Sequence, residues 1–436
     1  MPRVALHTLG CKLNFAETST IGKQFLDQGF EIVELGEPSD VCVINTCTVT
    51  DRADRECRQL IRRALRTGGN PVVVVTGCYA QLEPEKIASI DGVDLVLGAR
   101  EKFAIFDYLP VLDKLAAPRI HVSDVSTALD FGPAYSTEAG NRTRAILKIQ
   151  DGCDYTCSFC TIPLARGESR SQSIVTTIAL AHDLVARGYK EIVLTGVNVG
   201  DYGRKNGNSL LGLLKELVRV NGLRRLRISS IEPNLLTGEL IDFVASNEVM
   251  CNHFHVPLQS GSDEVLRSMR RRYTSSDYAD TVRRIREKMP EAGIGVDVIV
   301  GFPGETEGCF DTTYRFLAEL SISYLHVFTY SERPNTPAAS FTGRVSPSSR
   351  HKRNEMLRIL SQKKRHSFYE QMLGRTVRVL MESDVENGLR FGFTDNYVRV
   401  ALPADRTSEN MIVYAGLEQI IEGVCVGSLI GNEQPA

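Results

Sequence analysis

Three cysteines within eight residues restrict the fold of this chain more than any other feature, because their thiols must face one common centre. Cys153, Cys157 and Cys160 are spaced Cys-x3-Cys-x2-Cys, so a single loop can bind one inorganic centre. A structural zinc site takes four protein ligands, and the next candidate, His182, lies beyond the helix predicted to follow. An iron–sulfur cluster bound by three thiolates keeps one iron open to a small molecule. We refer to Cys153, Cys157 and Cys160 as the loop set. Their spacing favours an iron–sulfur cluster over a zinc site that takes its fourth ligand from a distant part of the chain.

Composition places the chain among multidomain proteins of a reducing compartment. Its 436 residues predict two or three domains, and its net charge of -2 provides no overall basic field that would attract nucleic acid. The odd total of 11 cysteines argues against a disulfide scaffold. The first residues lack the apolar region of a signal peptide, and no run of about eighteen apolar residues predicts a membrane span. We therefore expect a cytoplasmic protein with no membrane partner.

The N-terminal part, residues 1–110, predicts a Rossmann-like domain. Continuous apolar strands at 4–9, 41–45 and 71–76 alternate with helices, the first of them at 15–29. This alternation is typical of a parallel sheet that is covered on both faces. We therefore expect an α/β domain with a parallel sheet at its centre.

Three more cysteines, Cys11, Cys47 and Cys78, each follow the carboxyl end of a different predicted strand of this domain. Ligands bind at that edge in open parallel sheets, so these thiols are expected to converge although they are far apart in the chain. A neighbouring Gly or Thr lets the backbone approach closely. The alternative is three unrelated small residues in βα turns, but the shared position favours a second, sheet-edge set of metal ligands. The other cysteines are predicted to be structural: Cys42, Cys57, Cys251, Cys309 and Cys425.

Residues 111–140 are predicted to be a linker, because Pro and Gly interrupt the patterns and only a short strand at 120–122 is recognisable. Residues 141–370 then alternate strands with helices, which predicts a partial (β/α)6 barrel. The first of these strands leads into the loop set. The six strands are predicted at 144–150, 191–195, 225–230, 252–256, 293–300 and 323–328.

Polar side chains occupy the loops after these strands, where (β/α) barrels carry their active sites. Asn198, Glu232, Gln259 and Asp297 lie there, close to glycine-rich stretches. They are candidates to hydrogen-bond a small-molecule cofactor. The alternative for each of them is the capping of the helix that follows.

The C-terminal part combines a basic segment with a small β domain. Residues 342–366 hold eight Lys or Arg and one Glu, a pattern that usually indicates a solvated helix face. Residues 371–436 alternate in strand fashion between glycine turns, which predicts a small antiparallel β-barrel. Such barrels often present a face to nucleic acid, but this domain is acidic. Phosphate contacts would therefore come from the basic segment and from four arginines of the central domain: Arg267, Arg270, Arg271 and Arg272.

These three regions together resemble the radical S-adenosylmethionine (SAM) methylthiotransferase family, over essentially the whole chain. Members join an N-terminal three-cysteine domain, a radical SAM barrel and a C-terminal TRAM domain. Gly-Cys-Lys-Leu-Asn at 10–14 is similar to the branch that modifies N6-threonylcarbamoyladenosine in tRNA, and residues 392–397 agree with that branch. The isopentenyladenosine branch typically has Gly-Cys-Gln-Met-Asn at this place, and the ribosomal-protein branch has Gly-Cys-Pro-Lys-Asn.

The resemblance implies the cofactors and the reaction. The loop set would bind a [4Fe-4S] cluster that holds SAM, and the sheet-edge set would bind an auxiliary [4Fe-4S] cluster that carries the sulfur. A 5'-deoxyadenosyl radical would remove hydrogen from C2 of adenosine at tRNA position 37, beside the anticodon, and a methylthio group would be added there. The implied partners are the tRNA anticodon stem-loop and an electron donor such as flavodoxin or ferredoxin. With SAM as the cofactor, the polar loop residues already singled out become its candidate contacts: Asn198, Glu232, Gln259 and Asp297.

Two kinds of alternative stay open. One is the same reaction on isopentenyladenosine in tRNA or on an aspartate of a ribosomal protein, and the acidic C-terminal domain would suit such a basic protein. The other is a metal-bearing RNA-binding module without catalysis, which would show no dependence on SAM. That module leaves the missing fourth ligand of both cysteine sets unexplained.

Overall fold

The N-terminal domain is built on a six-stranded parallel sheet. In the computed structural model, the described residues are 1–47, 51–66, 70–109, 113–128, 131–136 and 142–433. The sheet has the order β2-β1-β3-β4-β5-β6. Its strands are β1 Arg3–Thr8, β2 Glu31–Val33, β3 Val41–Thr46, β4 Val72–Gly77, β5 Leu95–Leu97 and β6 Arg119–His121. Its helices are α1 Lys12–Asp27, α2 Asp51–Leu65, α3 Cys78–Leu82, α4 Pro84–Ala88 and α5 Ile105–Tyr108.

The predicted parallel sheet is confirmed, because every residue of β3 and β4 is buried and apolar clusters cover both faces. The prediction of a linker over 111–140 is wrong at β6, which pairs in parallel with β5. Three residues with one apolar side chain carry too little pattern to assign them to a sheet. Residues 110–112, 129–130 and 137–141 of this region lie outside the described residues.

Six parallel strands form the central domain, as predicted. They make two three-stranded sheets, β11-β10-β7 and β12-β13-β14. Two single bridges connect the sheets, one from Leu226 of β11 to Met250 and one from Ser230, just after β11, to His255 of β12. The strands are β7 Ala145–Lys148, β10 Glu191–Thr195, β11 Arg225–Ile228, β12 His253–His255, β13 Gly293–Val300 and β14 Tyr324–Thr329, and a short pair is formed by β8 Gln150–Asp151 and β9 Arg170–Ser171. The helices are α6 Ile162–Arg166, α7 Ile174–Ala186, α8 Leu210–Leu217, α9 Gly238–Ala245, α10 Asp263–Ser268, α11 Ser275–Lys288, α12 Glu307–Glu319 and α13 Pro347–Glu370.

Side chains alternate across these strands between an apolar face and a polar face. Leu226, Phe254 and Val296 belong to the large core that packs against the helices. Their strand neighbours Arg227 and His255 line an internal cavity instead. The lumen of the partial barrel is therefore polar, and the apolar core lies between the strands and the outer helices.

A five-stranded barrel closes the C-terminal part, in the order β15-β16-β17-β19-β18. The prediction of an antiparallel barrel is wrong for one pair, because β17 and β19 run parallel. Directions cannot alternate throughout a closed ring with an odd number of strands, so one parallel pair is unavoidable. That this barrel is a TRAM domain stays a prediction, and residues 434–436 lie outside the described part. The strands are β15 Thr376–Glu386, β16 Leu389–Thr394, β17 Arg399–Pro403, β18 Ile412–Ile421 and β19 Val424–Asn432.

The C-terminal barrel packs against the strand starts of the central domain. Arg227 of β11 donates a hydrogen bond to the Asp395 carbonyl at 2.7 Å, and the Tyr397 ring lies 4.8 Å from the His253 ring. A Cβ on Gly293 would lie 2.1 Å from the Asn396 carbonyl oxygen, so this contact requires glycine. The turn that contains Tyr397 thus closes one end of the lumen. Among the described helices, none combines the length and apolar character needed to cross a membrane.

Candidate active site

The loop set lies between β8 and α6, where hydrogen-bond donors face its sulfurs. The Tyr155 and Ile162 amides donate to the sulfurs of Cys153 and Cys160 at 3.4 and 3.5 Å, and Arg271 donates to the sulfur of Cys157 at 3.2 Å. Burial raises the pKa of Cys153 to about 11 and that of Cys160 to about 12. Metal binding at this loop would therefore release protons from the thiols.

The structure brings the sheet-edge set together as predicted, because β1, β3 and β4 are neighbours in the sheet. Cys11 is the N-cap of α1, Cys78 begins α3, and all three cysteines line one cavity. A Cβ on Gly10 would lie 2.7 Å from the Cβ of Cys47, and one on Gly77 would lie 2.3 Å from a backbone oxygen. These close approaches leave no room for a side chain at either position. Both glycines also have a positive φ, a backbone conformation that other residues rarely adopt.

Asn14 connects two of these cysteine-bearing turns and was not predicted as a functional residue. Its side-chain amide donates to the carbonyls of Leu9 and Thr46 at 2.9 and 3.0 Å, next to Cys11 and Cys47. Its oxygen accepts a hydrogen bond from Arg166 at 2.7 Å. In the sequence, only its position three residues after Cys11 indicated that Asn14 could lie at the site.

A buried ion network joins the two domains directly behind the cysteines. Glu17 of α1 contacts Lys102 at 2.6 Å and Arg166 at 2.9 Å, and Asp151 contacts Lys148 at 2.6 Å and Arg166 at 2.9 Å. Burial alone would raise the pKa of Glu17, but the charges of Arg166, Lys102 and Lys148 hold it well below its usual range. Burial has the largest effect on the pKa of Cys11 and raises it overall, although the positive charge of Arg166 acts in the opposite direction.

All three cysteines of the loop set line one cavity of about 580 Å³ together with Arg270, and Cys160 also lines a smaller cavity that adjoins the cavity of the sheet-edge set. The cavity of the sheet-edge set, about 610 Å³ in volume, extends through the lumen to Tyr397. The smaller cavity, of about 200 Å³, is lined by Cys160, Gln259 and Asp297. Asp297 and Ile162 belong to both linings, so they separate the two cavities.

The structure places the four predicted cofactor contacts in different surroundings. Gln259 and Asp297 lie at the Cys160 cavity, and Asp297 accepts a hydrogen bond from His255 at 2.8 Å when that nitrogen is protonated. Glu232 and Asn198 are not among the residues lining it. Glu232 instead forms an ion pair with Arg271. The side-chain amide of Asn198 is buried and has no hydrogen-bond partner among the described residues, while its backbone amide donates to the Gln150 side chain at 2.8 Å.

The basic residues divide into structural and accessible groups. Arg271 is buried against Cys157 and Glu232, so it is not free to contact phosphate as the sequence suggested. Within α13, Arg350 and Arg353 are buried in ion pairs with Glu332 and Glu305. Four cations of α13 remain exposed: Lys352, Arg358, Lys363 and Arg365. Near the loop set, the exposed cations are Arg267, Arg270 and Arg272.

Comparison with protein families matches two segments of the chain. Residues 3–98 match the uncharacterized protein family UPF0004, and residues 147–317 match the radical SAM superfamily. The solved radical SAM methyltransferase TsrM from Kitasatospora setae is 18% identical with a TM-score of 0.56, and the match covers 78% of this chain and 77% of that one. At this identity the similarity concerns the fold alone.

Curated relatives match the chain along nearly its whole length. The threonylcarbamoyladenosine tRNA methylthiotransferase MtaB of Bacillus subtilis is 41% identical over 94% of this chain and 92% of its own. The protein of the same name from Thermotoga maritima is 34% identical, with complete coverage of both chains. A tRNA-2-methylthio-N(6)-dimethylallyladenosine synthase of Fusobacterium nucleatum is 32% identical over 88% of each chain.

Proposed function

The chain belongs to the MtaB family of threonylcarbamoyladenosine tRNA methylthiotransferases, and from this premise we propose that it adds a methylthio group to C2 of N6-threonylcarbamoyladenosine at position 37 of tRNA. The observation that supports this proposal is that Cys160 of the loop set lines a cavity adjoining the one lined by all three cysteines of the sheet-edge set. A substrate base in the lumen would lie next to both sets. We place this activity in the cytoplasm, where tRNA is used.

We propose that each cysteine set binds a [4Fe-4S] cluster, and the spacing of the sulfurs supports a cluster over zinc. Two thiolates on one zinc ion are at most about 4.6 Å apart, because each zinc–sulfur bond is about 2.3 Å long. Among the described residues, only His255, Asp297 and His326 bring three ligand atoms within 4.8 Å of one another. Neither cysteine set is that compact, which suits a larger multi-iron centre. When bound, the two clusters and SAM would supply the electron, the radical and the sulfur for the reaction.

The residues around the loop set would hold SAM and tune its cluster. Arg271 donates to the sulfur of Cys157, so its positive charge lies beside the proposed cluster site. Gln259 and Asp297 line the cavity beside Cys160 and offer polar groups to the amino acid or ribose part of SAM. Ile162 and Asp297 would separate SAM from the substrate base in the lumen. C2 of adenine carries no acidic proton, so this site requires no general base.

The exposed cations would bind the anticodon stem-loop through its phosphates. Arg270 lines the cavity of the loop set, and Arg267 and Arg272 are exposed next to it. The exposed face of α13 adds four more positive side chains. We also propose an electron donor such as flavodoxin or ferredoxin, since radical cleavage of SAM consumes an electron.

Mass spectrometry of reaction products tests the proposed function. The protein would be reconstituted anaerobically with iron and sulfide, reduced, and incubated with SAM and one of three substrates. These are tRNA with threonylcarbamoyladenosine, tRNA with isopentenyladenosine, and ribosomal protein. We expect methylthiolation of the first only. Modification of either other substrate alone would overturn the substrate assignment, and a product without SAM would overturn the reaction class.

A further inference from the structure

Lys12 follows directly after Cys11, begins α1, and points into the cavity of the sheet-edge set. It lines the large cavity and also a smaller pocket with Arg144 and Tyr397 at the closed end of the lumen. Its side chain is exposed to this space, which protein encloses on several sides, from the sheet-edge set to Tyr397. A cation enclosed in this way is most stable when it meets an anion.

The other cations around the cavity already have counter-ions. Arg166 is paired with Glu17 and Asp151, Arg227 with Glu191 at 2.7 Å, and Arg144 with Glu382 at 2.9 Å. Lys12 differs from them, because no hydrogen bond and no ion pair within 4.0 Å joins its ammonium group to the described part of the chain, although Glu382 and Asp384 line the smaller pocket with it. The cavity therefore contains one cation that is available to a ligand, adjacent in the chain to a cysteine of the sheet-edge set.

We propose that Lys12 binds the carboxylate of the threonyl group in N6-threonylcarbamoyladenosine and thereby selects this substrate. The inference rests on the proposed function and identifies the group that recognises its substrate. In adenine, C2 and C6 flank N1, so the substituent on N6 lies on the same edge of the ring as the atom that is modified. A base whose C2 faces the sheet-edge set would present its threonyl carboxylate to the residue beside Cys11.

This arrangement accounts for selection as well as binding. A site that provides a charged partner for one substrate group discriminates strongly against an analogue without that group, because such an analogue would cover the charge without pairing it. An isopentenyl substituent is apolar and has no acceptor or negative charge that could pair with the ammonium group of Lys12. Lys12 is therefore a specificity-determining residue that touches the substrate away from the reacting carbon.

Equilibrium binding of short anticodon stem-loop RNAs to the anaerobically reconstituted protein tests this role. Three RNAs differ only at position 37, which carries threonylcarbamoyladenosine, its primary amide, or unmodified adenosine. We expect wild-type protein to prefer the carboxylate over the amide by about 10- to 100-fold, the range of a charge-assisted hydrogen bond. Lys12→Gln should bind both RNAs equally, with the affinity that wild-type protein has for the amide. Lys12→Arg should keep most of the preference.

Lys23→Gln is the matched control, because Lys23 lies on the same helix in an exposed pair with Asp27 at 3.0 Å. It should behave as wild type, and equal iron content would show that every variant binds its clusters. Equal loss of affinity for all three RNAs in Lys12→Gln would indicate a contact to a tRNA phosphate and overturn the inference. Wild-type protein that does not distinguish the carboxylate from the amide would overturn it too.

The failure of this inference is distinguishable from that of the proposed function. If wild-type protein modifies the threonylcarbamoyl tRNA while Lys12→Gln retains the full binding preference, only the inference is wrong. If the binding preference depends on Lys12 but no methylthio product forms, the assigned reaction is wrong and the carboxylate site stands.

Discussion

The loop set is contained in eight residues of one loop, whereas the sheet-edge set takes its cysteines from the ends of three strands. The first set needs a tight turn and one neighbouring arginine. The second needs a complete parallel sheet, two glycines at close backbone contacts and a buried ion network. Similar ligand sets can therefore depend on local sequence in one case and on the whole domain in the other. The two sets should therefore respond differently to mutation.

The largest effect should come from removing either set completely. Replacing all three cysteines of the loop set by Ala should remove about half of the iron, which is one of two clusters, and all SAM cleavage. Replacing the sheet-edge set should also remove about half of the iron, but SAM cleavage to 5'-deoxyadenosine should continue without methylthiolation. Iron analysis and chromatography of the nucleoside products measure both. Full iron retention in either triple variant would contradict the assignment of that set.

Glu17→Gln should have the next largest effect on stability and iron binding, because it removes a carboxylate that pairs with three buried cations. We expect a loss of about 3–5 kcal/mol in the free energy of unfolding, measured by urea denaturation, together with weaker iron binding at the sheet-edge set. Glu31→Gln is the control, since its pair with Arg3 is exposed and should contribute less than about 1 kcal/mol. Equal effects of the two substitutions would show that the network contributes little.

The same carboxylate should make stability depend on pH. The folded-state pKa of Glu17 is lowered by its cationic neighbours, so its contribution is complete above its ordinary value near 4.5. That contribution should decline as the pH falls below this value, because the unfolded chain then binds the proton first. Urea denaturation between pH 7 and pH 3 should show a steeper loss for wild type than for Glu17→Gln. Parallel curves would contradict this origin of the pH dependence.

A smaller effect is expected from adding one methyl group at Gly77. The new Cβ would lie 2.3 Å from a backbone oxygen, while Gly188, with a similar positive φ, has no heavy atom within 4 Å. Gly77→Ala should therefore destabilise the protein by roughly 1–3 kcal/mol more than Gly188→Ala. Its iron loss should be confined to the sheet-edge set. Gly152→Ala, which would clash at 2.0 Å, should instead affect the loop set.

The smallest expected effect concerns the arginine beside the loop set. Arg271→Gln removes the donor to Cys157 and leaves Glu232 without its cation. We expect SAM cleavage to slow by about tenfold while the iron content stays near that of wild type. Arg267→Gln, an exposed substitution close by, should leave SAM cleavage without tRNA unchanged. An unaltered rate in Arg271→Gln would show that this hydrogen bond has no part in the chemistry.

Features that rest on local pattern could be predicted from the sequence. The six strands of the barrel follow from apolar periodicity, and the convergence of Cys11, Cys47 and Cys78 follows from their places after strands. Individual polar contacts could not be predicted in the same way. Glu232 lies in a loop that a cofactor could reach, but its partner Arg271 comes from a different loop of the barrel. Nothing in the residues near Glu232 indicates that pairing.

The two cysteine sets, the parallel sheets and the family could all be predicted without coordinates, because each depends on spacing along the chain. Only the tertiary structure decided that Arg166 joins Glu17 across 149 positions and that one cation beside Cys11 forms no ion pair within the described chain. The physical reason is that spacing along the chain sets periodicity, whereas charge pairing depends on distances in space. Residues far apart in sequence meet only after the sheet and the barrel have packed together.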